Sequence, residues 1–392
     1  MDLIYQNSIK QYQSSKYLDC LRGLAAIEVL LSHLRNLFFV DYQEVSTKNF
    51  LIKLLYFFTG FGHQAVIIFF VLSGFFISSS ILKARRDNRW SWSWYLLNRL
   101  SRLHVVLIPA LAIGWIWDNL GINLFGQNSI YGGEIAGSNI INFAVSARLG
   151  LLTFIGNLFF LQGIAVPTFG SNSPLWSLSN EFWYYILFPL LLGVVVSKKK
   201  FRSIYVFLTL IILFAIGRET SLYFLIWLLG AAIGLLPYFR VISSQKMLDF
   251  ASFISIFVLA ICLTAIKLEV IKSVILEDFL LGITSTVFIY ITLNNRRELQ
   301  PNLYTNFSQK LASFSYTLYL VHLPVLVFIQ AALIHQQRWQ PNIIYLLLGY
   351  FIFVIILLYA YVISRLTEAK TDEIRSAIGS YLKPKFIGRR SL

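Results

Sequence analysis

An all-α membrane protein of about ten transmembrane helices, with both termini cytoplasmic, is the fold class this sequence predicts. Three observations carry it. The 392 residues are 57% hydrophobic and only 13% charged, and the mean hydropathy is +0.68. Apolar runs recur at lengths near the roughly twenty residues that cross a bilayer. Lysine and arginine collect in alternate loops, as they do on the cytoplasmic side of polytopic proteins.

The expected spans are 17–39, 62–82, 102–120, 176–196, 203–217, 221–239, 248–266, 277–293, 312–334 and 342–364. A cytoplasmic N-terminal segment, 1–16, carries Lys10 and Lys16. The inner loops then hold Lys83, Arg85, Arg86, Arg89, Arg99 and Arg102; Lys198, Lys199, Lys200 and Arg202; Arg240 and Lys246; and Arg296, Arg297 and Lys310. A basic cytoplasmic tail, 365–392, adds Arg365, Lys370, Arg375, Lys383, Lys385, Arg389 and Arg390. Outer loops keep scattered cations: Lys48, Lys53, Arg148, Arg218, Lys267, Lys272 and Arg338. The bias places both ends inside, and it accounts for the +15 net charge without nucleic acid as a partner.

Counting 151–164 (LLTFIGNLFFLQGI) as an eleventh span would move Lys198–Arg202 outside, so the segment reads as a re-entrant or interfacial helix. The Gly- and Asn-rich stretch 121–147 and the turn-forming 165–175 suggest an extracytoplasmic cap beside it. Residues 17–364 form one membrane domain with no fixed-period repeat. The first span carries Arg22, Glu28 and His33 and reads as a retained helix, not a cleaved signal peptide. Cys20 and Cys262 are too few for a disulfide framework.

The polar residues within these spans are the functional candidates, because intramembrane ionisable groups are costly. His33 lies eleven residues after Arg22, almost three whole turns, so both share a helix face about 16 Å apart. Asp19, three before Arg22, can pair with it. A neutral imidazole at His33 suits general-base work at neutral pH, although a histidine bonded to a neighbouring helix would look the same. Arg99 and Arg102 sit one turn apart, as for gripping phosphates or simply anchoring to lipid headgroups. Ser73 and Gly74, in IIFFVLSGFFISSS, suit close helix packing or ligand approach.

Glu181, in WSLSNEFWYYILFP, has Tyr184 and Tyr185 at i+3 and i+4 within reach. Its carboxylate can orient a histidine, bind a sugar hydroxyl or reach the interface. Ser315, Tyr319 and His322 form a polar seam on one face, with Pro324 beyond, fit for a site or for interhelical hydrogen bonds. His63, His104 and His335, at span ends, are left without a chemical role, and no metal site is expected.

Together these motifs resemble the acyltransferase-3 family of bacterial integral-membrane O-acyltransferases. The resemblance rests on DCLRGLAAIEVLLSH with Asp19, Arg22 and His33; FFVLSGF around Ser73 and Gly74; the R-x-x-R of Arg99 and Arg102; WSLSNE with Glu181; and SYTLYLVHLP with His322. The five occur in order over nearly the whole chain. The resemblance implies a multi-pass protein of the bacterial inner membrane. It would transfer an acyl group, most often acetyl, from cytoplasmic acyl-CoA to a hydroxyl of an extracytoplasmic or lipid-linked carbohydrate. It further implies that His33 and Arg22 are essential and that Arg99 and Arg102 serve the donor site. Two departures stand out. Phe182 follows Glu181 where many relatives have a second acid, and the fused esterase-like domain of some relatives is missing. The acceptor would then reach the membrane domain directly, or a separate polysaccharide-biosynthesis protein would complete transfer.

The mechanism expected from this reading has His33, Arg22 and Asp19 as the catalytic group and Arg99 and Arg102 on the coenzyme A phosphates. The thioester would reach His33 between helices, with Ser73, Glu181, Tyr185, Tyr319 and His322 binding substrate or fixing geometry. The rival is a transporter or flippase for a glycan intermediate, which commonly shows two related halves with interrupted helices in matching positions.

Overall fold

The computed structural model describes residues 2–133, 140–236, 244–294, 303–334 and 337–387. Among them the chain is helical with no strands, only the isolated bridges Phe39 to Trp339 and Gln162 to Val166. The long helices are α1 (Asp2–Phe38), α3 (Gly62–Arg86), α4 (Trp92–Phe125), α6 (Leu175–Val196), α7 (Lys199–Leu235), α8 (Gln245–Lys267), α9 (Val274–Asn294), α10 (Leu303–Leu333) and α11 (Ile343–Leu366). Three shorter ones are α2 (Phe50–Phe58), α5 (Leu151–Leu158) and α12 (Thr371–Ile387).

Eight helical stretches among the described residues are long and apolar enough to cross a membrane. The ten expected spans fall on nine long helices, because two of them are the two halves of α7. Spans 203–217 and 221–239 are both on α7, which breaks at Gly217 (φ 79°, ψ 176°), a conformation open to glycine at little cost. Helix α1, whose last 18 residues contain Arg22, Glu28 and Arg35, is not among the eight.

Two further segments gain detail. Over 151–164 only Leu151–Leu158 is helical, about 12 Å of rise, too short to cross a bilayer. Its exposed Leu151, Leu152 and Ile155 oppose buried Thr153, Gly156 and Asn157, the two-faced pattern of an interfacial helix. The basic tail is helical to Ile387, and α12 packs on α4. Side chains of Lys10, Lys16, Lys383 and Lys385, and residues Arg240, Arg296, Arg297, His335, Arg389 and Arg390, lie outside what is described.

Packing centres on α10 and α3. Helix α1 lies against both, α4 and α11 flank α10, and α7 crosses α3 and α6, while α8 pairs with α9 toward the outside. The α3–α7 crossing is close because Gly74 lies against the Trp227 backbone and Gly230 against Val71, where a Cβ would collide. Gly74 is thus a packing residue. The outward faces carry large apolar side chains such as Phe207, Phe214, Phe253 and Phe351, a patch far too extensive for water and suited to lipid.

The cap expected around α5 is tied down by side chains. Asp118 accepts from the backbone N–H of Ser171 (2.8 Å) and from its hydroxyl (2.7 Å). Asn157 donates to the Pro167 carbonyl at 2.9 Å, and Asn172 to the Leu320 carbonyl at 2.8 Å. These bonds fix 165–175 against α4, α5 and α10.

Candidate active site

Helices α1 and α10 bring His33 and His322 together, with Nδ1 of His33 2.7 Å from Nε2 of His322 and the rings stacked at 5.0 Å. Neighbours assign the protons. Nδ1 of His322 lies 2.9 Å from the Leu318 carbonyl and 3.0 Å from that of Tyr319. Carbonyls only accept, so this nitrogen carries the hydrogen. In a neutral ring Nε2 of His322 then accepts, Nδ1–H of His33 donates to it, and Nε2 of His33 keeps its lone pair. His322 therefore fixes the tautomer of His33, as a second group orients a catalytic base.

Next to this pair lies a cavity of about 330 Å³, within the range of small-ligand sites. Arg22, Ser73, Arg99, Arg102, Glu181, Tyr185 and Tyr319 all line it, together with Ser177, Tyr316, Phe69 and Phe70. Three guanidiniums and one carboxylate thus form the charged part of its wall, with Asp19 against Arg22 and Glu368 near Arg22 and Arg102 behind it. His33 and His322 are not in its wall; they lie behind Tyr319, whose ring is 6.2 Å from that of His322. His33, where the thioester was expected to arrive, does not line this cavity.

Asp19 pairs with Arg22 at 3.2 Å, as the three-residue spacing suggests, and Arg22 also donates to the Ala312 carbonyl at 3.2 Å. One helix turn of α1 is thereby pinned to α10. Arg99 donates from Nη2 to Ser80 at 3.1 Å and lies over the Tyr95 and Tyr185 rings. Its buried Nε has no hydrogen-bond partner among the described residues, an unpaired donor that an anionic oxygen would satisfy.

Glu181 accepts on Oε1 from Ser73 (3.0 Å) and from Tyr185, and Trp227 donates to Ser73 at 3.2 Å. The spacing suggested Tyr184 as well, but that hydroxyl donates to the Thr220 carbonyl at 2.7 Å because it points toward α7. On the polar seam of α10, Tyr319 and Ser177 share a hydrogen bond of 2.7 Å, whereas Ser315 bonds within its own helix. Among the described residues no group of three His, Cys, Asp or Glu side chains is placed to hold a metal.

Several participants were not singled out from sequence. Ser177 and Tyr316 lie inside the quoted motifs, yet their types gave no reason to prefer them. Glu368, just past α11, accepts from the Thr317 N–H (3.0 Å) and hydroxyl (2.8 Å) and is one of the charges around Arg22 and Arg102. It had been read as part of a basic tail, and only the chain's return to α10 reveals it.

Fold and site define a multi-pass helical membrane protein with an arginine-lined chamber between its helices and a histidine pair beside it. The Acyltransferase domain family model matches residues 15–362, nearly the whole chain, and the chain belongs to the acyltransferase-3 family. It is 30% identical over 162 residues to an uncharacterized protein of Haemophilus influenzae, a match covering 39% of this chain and 58% of that relative. No solved structure matches.

Proposed function

We propose that this protein transfers an acyl group, acetyl in the first instance, from acyl-CoA to a hydroxyl of a carbohydrate at the outer side of a bacterial cytoplasmic membrane. The observation that carries the reading is the His33–His322 pair, whose hydrogen bonds leave one imidazole lone pair free beside an arginine-lined cavity. Arg99 and Arg102 hold the donor phosphates, for which the unpaired Nε of Arg99 supports the assignment. Arg22, held by Asp19 and the Ala312 carbonyl, balances negative charge deeper in the chamber. Ser73, Glu181, Tyr185 and Tyr319 offer hydroxyls and a carboxylate to the pantetheine amides or the acceptor.

In the transfer step Nε2 of His33 takes the acceptor hydroxyl proton as the oxygen attacks the thioester carbonyl. The tetrahedral intermediate collapses with loss of the thiolate, which recovers the proton from His33. In the covalent variant Nε2 attacks the thioester carbonyl first and expels the thiolate; the acceptor oxygen then attacks the acyl carbon and displaces the imidazole, and its proton passes to the thiolate. Both use the same lone pair, and movement of Tyr319 would open the way to it. Delivery of the acceptor by a separate polysaccharide-biosynthesis protein is compatible with either.

The test is base-labile acyl ester, acetate first, on surface polysaccharide from host strains with wild-type protein, a deletion and His33→Ala at matched membrane levels. Loss of ester in both altered strains is expected. Unchanged ester in the deletion, with no labelled acyl-CoA turnover in vesicles, would leave glycan transport as the better reading.

A further inference from the structure

His63 stands at a span end, where the sequence alone gives it no chemical role, yet it is held by its neighbours. Its Nε2 lies 2.8 Å and 3.0 Å from the two carboxylate oxygens of Asp278 on α9. Tyr223 of α7 donates to the same carboxylate at 3.0 Å. The Asp278 side chain is 1% exposed while that of His63 is 38% exposed, so a buried acid fixes an accessible imidazole. A carboxylate only accepts, so Nε2 carries the hydrogen and Nδ1 of neutral His63 is an acceptor. Nδ1 makes no hydrogen bond among the described residues. Trp176 stacks on the imidazole at 6.4 Å, and Tyr223 meets it edge-on at 6.5 Å.

Two contacts relate this cluster to the candidate active site. On α3, Val66, Phe70 and Ser73 line the cavity, and His63 continues the same helix stripe one turn before Val66. Phe70 packs its edge on Trp176 and touches Tyr223 at 6.0 Å each, so the aromatic wall is continuous. At the α1–α3 contact, a Cβ on Gly62 would lie 2.7 Å from the Ser32 side chain. His33 and His63 are the residues that follow those two, so their backbones lie near each other at the α1–α3 contact.

A hydrogen bond serving only to join α3 to α9 would need neither an open nitrogen nor an aromatic shelf. We infer that His63, Asp278, Tyr223 and Trp176 form the carbohydrate-acceptor subsite, in which Nδ1 of His63 accepts a hydrogen bond from a sugar hydroxyl. Trp176 and Tyr223 border the sugar ring, and a neighbouring hydroxyl is directed to His33. This assignment rests on the proposed function and adds to it where the acceptor binds.

The test places His63→Gln, Trp176→Ala and Trp176→Phe in the deletion host at matched membrane levels. Two quantities are read: base-released acyl ester on surface polysaccharide, and binding of labelled acetyl-CoA by membrane vesicles. His63→Gln and Trp176→Ala are expected to lower ester about tenfold or more, with acetyl-CoA binding within about twofold of wild type, and Trp176→Phe to restore most of the ester. Wild-type ester in His63→Gln overturns the subsite and leaves the proposed function standing. Parallel loss of ester and acetyl-CoA binding also overturns it, since the residue then serves the donor side or the fold. If His63→Gln does not reach the membrane, Trp176→Ala, which leaves the Asp278 hydrogen bonds intact, decides by the same two readings. Unchanged ester in the deletion strain itself overturns the proposed function, and the subsite with it.

Discussion

Helix α8 and the α1–α3–α10 group are both apolar helices with scattered hydroxyls, but they satisfy those hydroxyls differently. On α8, Ser255 and Thr264 donate to carbonyls three and four residues back at 2.8 Å. These bonds stay within one helix and commit it to no partner. In the inner group Ser78 and Ser315 also bond within their own helices, but other bonds cross the molecule: Ser73 to Glu181, Ser177 to Tyr319, His33 to His322 and Thr317 to Glu368. Serine in an apolar helix is therefore uninformative by itself. What marks the site is a polar side chain whose partner comes from another helix, since only such pairs require a defined tertiary arrangement.

The sharpest way to break the comparison is to remove the inner lone pair. His33→Ala is expected to lower acyl transfer by a factor of about 10² to 10⁴, the usual contribution of a positioned base, with normal membrane levels, measured as surface acyl ester. His322→Phe keeps a ring of similar size but cannot accept from His33. Transfer should fall about tenfold to a hundredfold, and His322→Gln, which can accept through its amide oxygen, should recover part of it. Arg99→Lys keeps the charge but loses the Nε donor and the planar fork. It is expected to raise the KM for acetyl-CoA about tenfold with kcat little changed, from kinetics in vesicles.

Smaller effects sharpen the contrast. Ser73→Ala removes one of two donors to Glu181 and should cost about 0.5–1.5 kcal/mol, seen as a change of a few fold in transfer. Ser255→Ala on α8 removes only a bond within its helix. Transfer and thermal stability should stay within about 0.5 kcal/mol of wild type. An effect at Ser255 as large as that at Ser73 would erase the distinction between the two regions.

Much of the site was legible because membranes make polar residues conspicuous. Asp19, Arg22, Arg99, Arg102, Ser73, Glu181, Tyr185, Tyr319 and His322 stood out against apolar runs, and the first seven together with Tyr319 converge on the cavity or its immediate support. Helix periodicity gave Asp19–Arg22 and Glu181–Tyr185 because both pairs lie within one turn of a single helix. It gave Tyr184 the wrong partner, since one step of about 100° turns that side chain toward another helix. Glu368 and Asp278 were missed for a related reason: each is a carboxylate whose meaning depends on a donor fifty or more residues away.

The sequence by itself determined the class of fold, the positions of the helices and the types of side chain available for chemistry, because bilayer thickness and helix geometry act locally on a chain. Tertiary structure alone decided that His33 and His322 share a proton-ordering bond, that Glu368 returns to α10, and that His63 is fixed by a buried acid. Those outcomes depend on which helix faces meet, and that choice is made by close contacts such as Gly74 on Trp227 and Gly62 on Ser32, between residues far apart in the chain.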